Sequence, residues 1–185
     1  KEYRRQRQMC IRDRGDITLR DINPIYLNSL FAVLEQTGAT IQIGEDWARI
    51  SSNARAKSID IATQPYPGFP TDLQAQYMCL MATADGSAKI TETIFENRFM
   101  HVPELMMMSA DIQIDGRTCI VHGKPDLKPA PVMATDLRAS VCLVLAALAT
   151  AGKTTISRIY HLDRGYSNLE EKLNNCGARI QRQAE

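Results

Sequence analysis

The pattern of apolar and polar positions predicts short strands that alternate with helices along most of the chain. The predicted strands lie at 17–22, 40–43, 47–50, 58–63, 89–94, 154–160 and 178–182, and a hairpin pairs 110–114 with 119–122. The predicted helices lie near 24–37, 71–84, 102–108, 135–151 and 166–176. The helix near 135–151 carries the apolar run 141–149, which has no polar face. Since a helix that is apolar all round is buried on every side, we expect sheets to surround central helices.

Two repeated patterns in the sequence predict that the chain contains about three copies of one α/β unit. Residues 71–74 (TDLQ) return 64 positions later as residues 135–138 (TDLR), each followed by Ala and an apolar helical run. A small residue followed by Ala recurs between helix and strand at 38–39, 109–110 and 177–178. This spacing is longer than the roughly 20–50 residues of a solenoid repeat, which favours a larger unit.

The repeated tetrapeptide begins two of the predicted helices. We expect a capping box at the first, in which Thr71 accepts from the backbone N–H of Gln74 and the Gln74 side chain reaches back. Asp72 and Asp136 then fall in the first turn, where a carboxylate stabilises the helix dipole. Each also stands at a strand-to-helix junction, where α/β folds commonly place ligands. A carboxylate held there can orient or deprotonate a substrate hydroxyl, so both interpretations stay open.

Basic side chains occupy equivalent loops of the later units. Arg98 and Arg164 each follow a strand and precede a helix, and Arg138 lies in the first turn of its helix. The first unit has DINP at the same junction, so the fold does not require Arg there. Together the three guanidinium groups would make a cradle for phosphate or carboxylate, which they bind in bidentate fashion. The alternative is that they are solvated or paired with nearby carboxylates, namely Asp163, Glu96 and Asp136.

Composition excludes several classes of protein. The chain has 185 residues, of which 44% are hydrophobic and 23% charged, as in an ordinary globular domain. Its formal net charge of +1 gives no reason to expect nucleic acid or an anionic membrane as a partner. The longest apolar run is well short of the ~20 residues that span a bilayer. We therefore expect neither nucleic-acid nor membrane binding.

The cysteines and histidines do not predict a metal site. The five cysteines form no C-x-x-C pair, and no histidine completes a zinc spacing. Cys79, Cys119 and Cys142 lie in apolar runs and are expected to be small core residues. His101 and His161 lie near the arginine loops but are expected to be structural. Walker A, G-x-G-x-x-G and G-x-S-x-G motifs are absent as well, so we expect no metal and no cofactor. A reducing cytoplasm fits this cysteine usage best.

Residues 1–14 differ from the rest of the chain. They are dense in Arg and Gln, have no period, and stand where the repeat predicts a helix before Gly15. We expect a non-matching leader at 1–14 and one incomplete α/β domain at 15–185. A solvated basic tail is the alternative.

Four stretches resemble a known family. PYPGFPTDLQAQ, TETIFENRFMHVPEL, MATDLRAS and RIYHLDRGY are similar to the UDP-N-acetylglucosamine 1-carboxyvinyltransferases, a family of enolpyruvyl transferases, over nearly the whole chain. The resemblance covers only the C-terminal portion of that family. It implies an inside-out α/β barrel of three units with buried helices, one of two such domains, with the active site between them.

The resemblance also implies a reaction and residues for it. The enolpyruvyl group of phosphoenolpyruvate passes to the 3′-hydroxyl of UDP-N-acetylglucosamine, the first step of peptidoglycan precursor synthesis, and phosphate is released. Asp72 matches the carboxylate at the sugar hydroxyl and is expected to act as base, and Ile94 matches a contact to the nucleotide sugar. The remaining matches line the phosphoenolpyruvate site and are Arg98, Asp136, Arg138 and Arg164.

One part of the family pattern is missing. The family's general-acid cysteine lies on a loop of the other domain, and none of the five cysteines here has a matching sequence. We expect this chain alone to be catalytically silent and the missing second domain to be its partner. Two alternatives stay open: the related 3-phosphoshikimate 1-carboxyvinyltransferase, and a non-catalytic domain that binds an anion or a partner protein.

Overall fold

Three small sheets and the helices between them form residues 15–183, the part of the chain that this computed structural model describes. The first sheet is antiparallel with strand order β1-β3-β2, and comprises β1 (Gly15–Arg20), β2 (Thr40–Ile43) and β3 (Trp47–Ser52). A 3-10 helix at Pro24–Leu27 continues into α1 (Asn28–Gln36), and Pro24 provides the fixed backbone angle that suits a first turn. The first helix and the first three strands are therefore confirmed.

The second sheet has four strands in the order β4-β5-β7-β6. They are β4 (Ile61–Ala62), β5 (Ser87–Thr91), β6 (Asp111–Asp115) and β7 (Thr118–His122). β4 and β5 are parallel, whereas β6 and β7 form the predicted hairpin. Between β4 and β5, a 3-10 turn at Thr71–Leu73 continues into α2 (Gln74–Ala82), and α3 (Val102–Met107) joins β5 to β6.

The third sheet is a parallel pair, β8 (Pro131–Met133) with β9 (Thr155–Ser157). Between these strands lies α4 (Leu137–Leu148), and after them come the short helices α5 (Tyr160–Asp163) and α6 (Leu169–Asn175). The sequence reading missed β8, because it has only three residues and begins with Pro.

The core forms where α2 packs against α4. Met78, Met81 and Leu143 are completely buried in it, and burying each such side chain contributes about 1.5–3 kcal/mol. Cys79 and Cys142 lie in the same core, which agrees with the expectation for small residues in apolar runs. On its other side α2 contacts β5 and β7 of the second sheet, whereas Leu145 of α4 remains 37% exposed.

The predicted capping box is wrong. Pro70 precedes the first turn and no side chain caps it, because the Thr71 hydroxyl donates instead to Oε2 of Glu92 at 2.8 Å. Gln74 is buried, and its Nε2 has no hydrogen-bond partner among the described residues. The buried carboxylate of Glu92, which directly follows β5, thus replaces the local cap as the partner of Thr71.

The predicted strand at 178–182 does not form, although the structure describes all of these residues. The Asn174 side chain bonds both backbone groups of Ile180, accepting from its N–H at 2.8 Å and donating to its C=O at 2.9 Å. Arg182 pairs with Asp163. Side chains of the preceding helices thus hold this segment in place of a neighbouring strand. The predicted strands 58–63 and 154–160 are likewise much shorter, as β4 and β9.

Two further expectations concern the chain as a whole. The predicted leader at 1–14 lies outside the described residues. No helix within 15–183 combines the length and the apolar character needed to cross a bilayer.

Candidate active site

Asp72 lies at the centre of a cluster of charged side chains between two helix starts. Its Oδ1 accepts a hydrogen bond from Nε of Arg138 at 2.6 Å, and Nη2 of the same guanidinium is also 2.6 Å away. Nη1 of Arg98 lies 3.6 Å from the same oxygen. The Asp72 side chain remains 68% exposed. The structure therefore brings three of the sequence-predicted site residues together at one open edge.

Asp136 occupies the equivalent position of the repeat but has a different role. It is the N-cap of α4, and its Oδ1 accepts from the backbone N–H of Arg138 at 2.7 Å and of Ala139 at 3.0 Å. The helix-capping interpretation therefore holds for Asp136 and not for Asp72. By fixing the first turn of α4, Asp136 also fixes the backbone from which the Arg138 side chain reaches Asp72.

Arg98 packs on an aromatic ring. Its guanidinium lies over the Phe95 ring, 4.0 Å from the centroid, in a cation–π contact. Asn97 precedes it with a left-handed φ of 54°, a backbone conformation that Asn tolerates better than most residues. Nη1 of Arg98 is buried and has no hydrogen-bond partner among residues 15–183. Its contact with Oδ1 of Asp72, at 3.6 Å, is an ion pair that is too long for a hydrogen bond.

Glu92 organises the loop that carries Ile94 and Phe95. The side chain is 1% exposed and accepts from the hydroxyls of Thr63 at 2.7 Å and Thr71 at 2.8 Å. It also accepts from the backbone N–H groups of Ile94 at 2.9 Å and Phe95 at 3.2 Å. Burial alone would raise the pKa of Glu92, but these four hydrogen bonds prevail and lower it. Sequence reasoning missed this residue; its only signal is an acid inside the predicted strand 89–94.

Arg164 lies near the cluster without a contact to it. It follows α5 as an exposed residue, and no described side chain forms an ion pair with it. The next residue, Gly165, packs on the first turn of α4: a Cβ there would come within 3.0 Å of both Cδ atoms of Leu137. The loop thus places Arg164 beside the turn that carries Arg138, although the structure does not join it to Asp72.

The carboxylates that were alternative partners of the arginines are engaged elsewhere. Asp163 pairs with Arg182 at 2.7 Å, and Glu96 pairs with Arg117 at 3.0 Å. The third, Asp136, caps α4. Within the part of the chain that the structure describes, Asp72 is the one carboxylate that pairs with Arg98 or Arg138. The cluster therefore carries excess positive charge, which suits a phosphate or carboxylate ligand.

His101 is buried close to the cluster. The side chain is 2% exposed, and its Nε2 has no hydrogen-bond partner among the described residues. Burial lowers the pKa of His101 to about 4, while the negative charge of Asp136 opposes this shift. The imidazole is therefore neutral at pH 7. Residues 15–183 hold no group of three or more His, Cys, Asp and Glu placed to bind a metal ion.

Comparison with known sequences gives consistent matches. The sequence model for EPSP synthase (3-phosphoshikimate 1-carboxyvinyltransferase) matches residues 10–173. The UDP-N-acetylglucosamine 1-carboxyvinyltransferase of Bartonella tribocorum is 57% identical over 171 residues, which cover 91% of this chain and 40% of that protein. The protein of the same name from Psychrobacter sp. is 54% identical over 168 residues, covering 91% and 39%. The chain thus spans about 40% of the length of these relatives.

Solved structures give the same fold. The enolpyruvyl transferase NikO from Streptomyces tendae superposes with a TM-score of 0.78 at 30% identity, covering 92% of this chain and 40% of that one. EPSP synthase from Acinetobacter baumannii superposes with a TM-score of 0.72 at 19% identity, covering 93% and 43%. The second likeness concerns the fold alone. Together they confirm the expected enolpyruvyl transferase fold.

Proposed function

We propose that this chain, which belongs to the EPSP synthase (3-phosphoshikimate 1-carboxyvinyltransferase) family, is part of an enzyme that transfers the enolpyruvyl group of phosphoenolpyruvate to the 3′-hydroxyl of UDP-N-acetylglucosamine. The observation that carries the proposal is the contact of Asp72 with Arg138 and Arg98 at one open edge. The name of relatives at 54–57% identity supports the choice of substrates.

Asp72 is the proposed base. The one hydrogen bond that it accepts from a described residue ends on Oδ1, which leaves Oδ2 for the substrate hydroxyl. The two arginines contact Oδ1 and fix the direction of the carboxylate, as a general base requires. Ile94, whose backbone is tied to Glu92, is proposed to contact the nucleotide sugar.

The arginines are the proposed anion site. Arg98, Arg138 and Arg164 would bind the phosphate and carboxylate of phosphoenolpyruvate, and Asp136 would keep the turn of Arg138 in place. In the reaction, the sugar oxygen bonds to C2 of phosphoenolpyruvate while C3 gains a proton, which gives a tetrahedral ketal. Loss of phosphate and of one proton from C3 then restores the double bond. Cations already in position stabilise the negative charge throughout.

The proton for C3 has no proposed donor within this chain. We propose that the second domain of the enzyme supplies it and closes the site from the other side, so that this domain is the partner of the chain. We also propose a cytoplasmic location, since Cys79, Cys119, Cys142 and Cys176 are all free thiols, as a reducing compartment would keep them.

Transfer to 3-phosphoshikimate is the less supported alternative. The EPSP synthase structures are only 18–19% identical to this chain, whereas relatives named for UDP-N-acetylglucosamine reach 57%. A non-catalytic anion-binding domain is the outcome if neither sugar substrate binds and no assembly with the rest of the enzyme turns over.

Calorimetric titration of the 185-residue chain tests the substrate. We expect binding of UDP-N-acetylglucosamine and none of shikimate 3-phosphate at the same concentration. Asp72→Asn should weaken nucleotide-sugar binding about tenfold, because hydrogen bonds to charged groups are worth about 1.5–3 kcal/mol. Asp16→Asn is the matched control, since it breaks an exposed Asp–Arg pair on the first sheet. Preference for shikimate 3-phosphate would overturn the proposed substrate.

A phosphate-release assay with both substrates tests whether the second domain supplies the proton donor. We expect no turnover from the chain alone and turnover when the missing domain of a relative is added. Substantial release by the chain alone would show that it supplies its own proton donor.

A further inference from the structure

We infer that Glu92 is a positioning residue that sets the mutual geometry of Asp72 and Arg98. The inference rests on the proposed function and adds to it a residue that does not touch the substrate. Glu92 is the one side chain in the described structure that hydrogen-bonds both to the turn of Asp72 and to the loop of Arg98.

The two carboxylate oxygens of Glu92 serve different segments. Oε2 accepts from the hydroxyl of Thr71, the residue directly before Asp72. Oε1 accepts from the hydroxyl of Thr63, which directly follows β4, and from the backbone N–H groups of Ile94 and Phe95. Since the Phe95 ring supports the Arg98 guanidinium, a shift of Glu92 displaces both sides of the charged cluster.

The repeat provides an internal comparison. In the third unit, Thr135 precedes Asp136 as Thr71 precedes Asp72, but the buried hydroxyl of Thr135 has no hydrogen-bond partner among the described residues. There the carboxylate of Asp136 turns back and caps its own helix. In the second unit Glu92 holds Thr71, no side chain caps the turn, and Asp72 points to the arginines. Where the threonine hydroxyl has a hydrogen-bond partner, as at Thr71, the following aspartate points to the arginines. Where it has none among the described residues, as at Thr135, the following aspartate caps its own helix.

The charge of Glu92 is balanced by hydrogen bonds alone. No described Lys, Arg or His forms an ion pair with it, and a buried carboxylate is costly unless its oxygens are satisfied. Four donors satisfy them here. An apolar residue at this position would leave the N–H groups of Ile94 and Phe95 unpaired, so the loop would have to move.

Four variants of the full chain separate positioning from stability. Glu92→Leu removes all four acceptor contacts. Glu92→Gln keeps Oε1 for three donors, and its amide can donate to the Thr71 oxygen. Thr71→Val removes only the link to the turn of Asp72. Tyr77→Phe is the matched control, because Tyr77 loses one comparably buried hydrogen bond, to the Ile59 carbonyl at 2.8 Å, away from the cluster.

The first readout needs no ligand. In ¹⁵N-labelled protein, the Arg98 side-chain signals should carry a ring-current shift from Phe95, and the Arg138 Nε–H should be protected by its bond to Asp72. We expect Glu92→Leu to abolish the Arg98 shift and Thr71→Val to weaken the Arg138 protection. Glu92→Gln and Tyr77→Phe should leave both unchanged.

The second readout is the dissociation constant of UDP-N-acetylglucosamine. We expect a five- to tenfold increase, about that of one lost hydrogen bond, for Thr71→Val, and more for Glu92→Leu. Glu92→Gln and Tyr77→Phe should stay within about twofold. If wild-type protein binds no nucleotide sugar, the proposed substrate is wrong, while the arginine signals still decide the role of Glu92.

The comparison is made between Thr71→Val and Tyr77→Phe at equal thermal stability. The inference is overturned if the two variants show the same Arg138 signal and the same affinity for the nucleotide sugar. If Glu92→Leu does not fold, Thr71→Val and Glu92→Gln decide alone. Failure of Glu92→Gln to preserve the arginine signals would also contradict it.

Discussion

The ion pair between Asp72 and Arg138 predicts an unusual gain of binding on mutation. Asp72 occupies Nε and Nη2 of Arg138, the same donors that an inorganic phosphate would use. A phosphate must therefore compete with a carboxylate that is part of the protein. Asp72→Asn removes the competing charge while keeping the size of the side chain, so it should tighten phosphate binding while it weakens binding of the nucleotide sugar.

The size of the gain follows from the exposure of the pair. The Asp72 side chain is 68% exposed and that of Arg138 34% exposed, so solvent screens their attraction. Exposed ion pairs contribute about 0.2–1 kcal/mol, and 1.4 kcal/mol corresponds to a factor of ten in affinity. We therefore expect phosphate to bind about 1.4- to fivefold more tightly to Asp72→Asn. The gain should shrink as salt is added, because the charges that cause it are accessible to ions.

The assay is a titration with inorganic phosphate at low ionic strength, followed by the Arg98 and Arg138 side-chain signals. Asp16→Asn is again the control, since Asp16 and Arg49 are about half exposed and lie on the first sheet. It should leave these signals and the phosphate affinity unchanged. An equal or weaker affinity in Asp72→Asn, or an equal gain in Asp16→Asn, would refute the competition.

Two further predictions concern stability. Asp136→Ala should lower the free energy of unfolding by about 1 kcal/mol through loss of the α4 cap, whereas Asp72→Ala should lower it by less than about half that value; thermal unfolding of both variants checks this asymmetry. The chain should also lose stability as the pH falls from 6.5 to about 4, because the unfolded state then binds a proton that neutral, buried His101 in the folded state does not. The shift corresponds to a loss of about 3 kcal/mol. Denaturant titrations across this range should show a flatter pH dependence for His101→Phe, and an equally steep one would contradict the assignment.

The sequence predicts the helices well and the local caps less well, for a physical reason. The apolar run of α4 and the hairpin of β6 and β7 are encoded by residues close together in the chain, so the pattern identifies both. The partner of Thr71, in contrast, is 21 residues away in the chain, and a buried acceptor at that distance is invisible to a local capping rule. The last predicted strand fails for a similar reason, because the Asn174 side chain takes the hydrogen bonds of Ile180.

The sequence predicts only those residues of the candidate site that belong to the repeat or to the stretches that resemble the family. Asp72 and Arg138 are 66 residues apart, and what relates them is that each belongs to one copy of the repeated tetrapeptide, Asp72 at its second position and Arg138 at its fourth. The repeat could not distinguish the exposed Asp72 from the helix cap Asp136, because their local sequences are nearly the same. Glu92 belongs to no repeated motif, and its role depends on contacts that exist only in the folded chain.

The ion pairs around the site affect which carboxylates are free near its arginines more than they affect the stability of the fold. Arg182 with Asp163 and Arg117 with Glu96 are exposed pairs, and such pairs add little to the free energy of unfolding. Each nevertheless engages a carboxylate that stands next to, or near, an arginine of the site in the sequence. Asp163 and Glu96 are thus paired with basic residues outside the cluster, and neither forms an ion pair with Arg98 or Arg138 in the described structure.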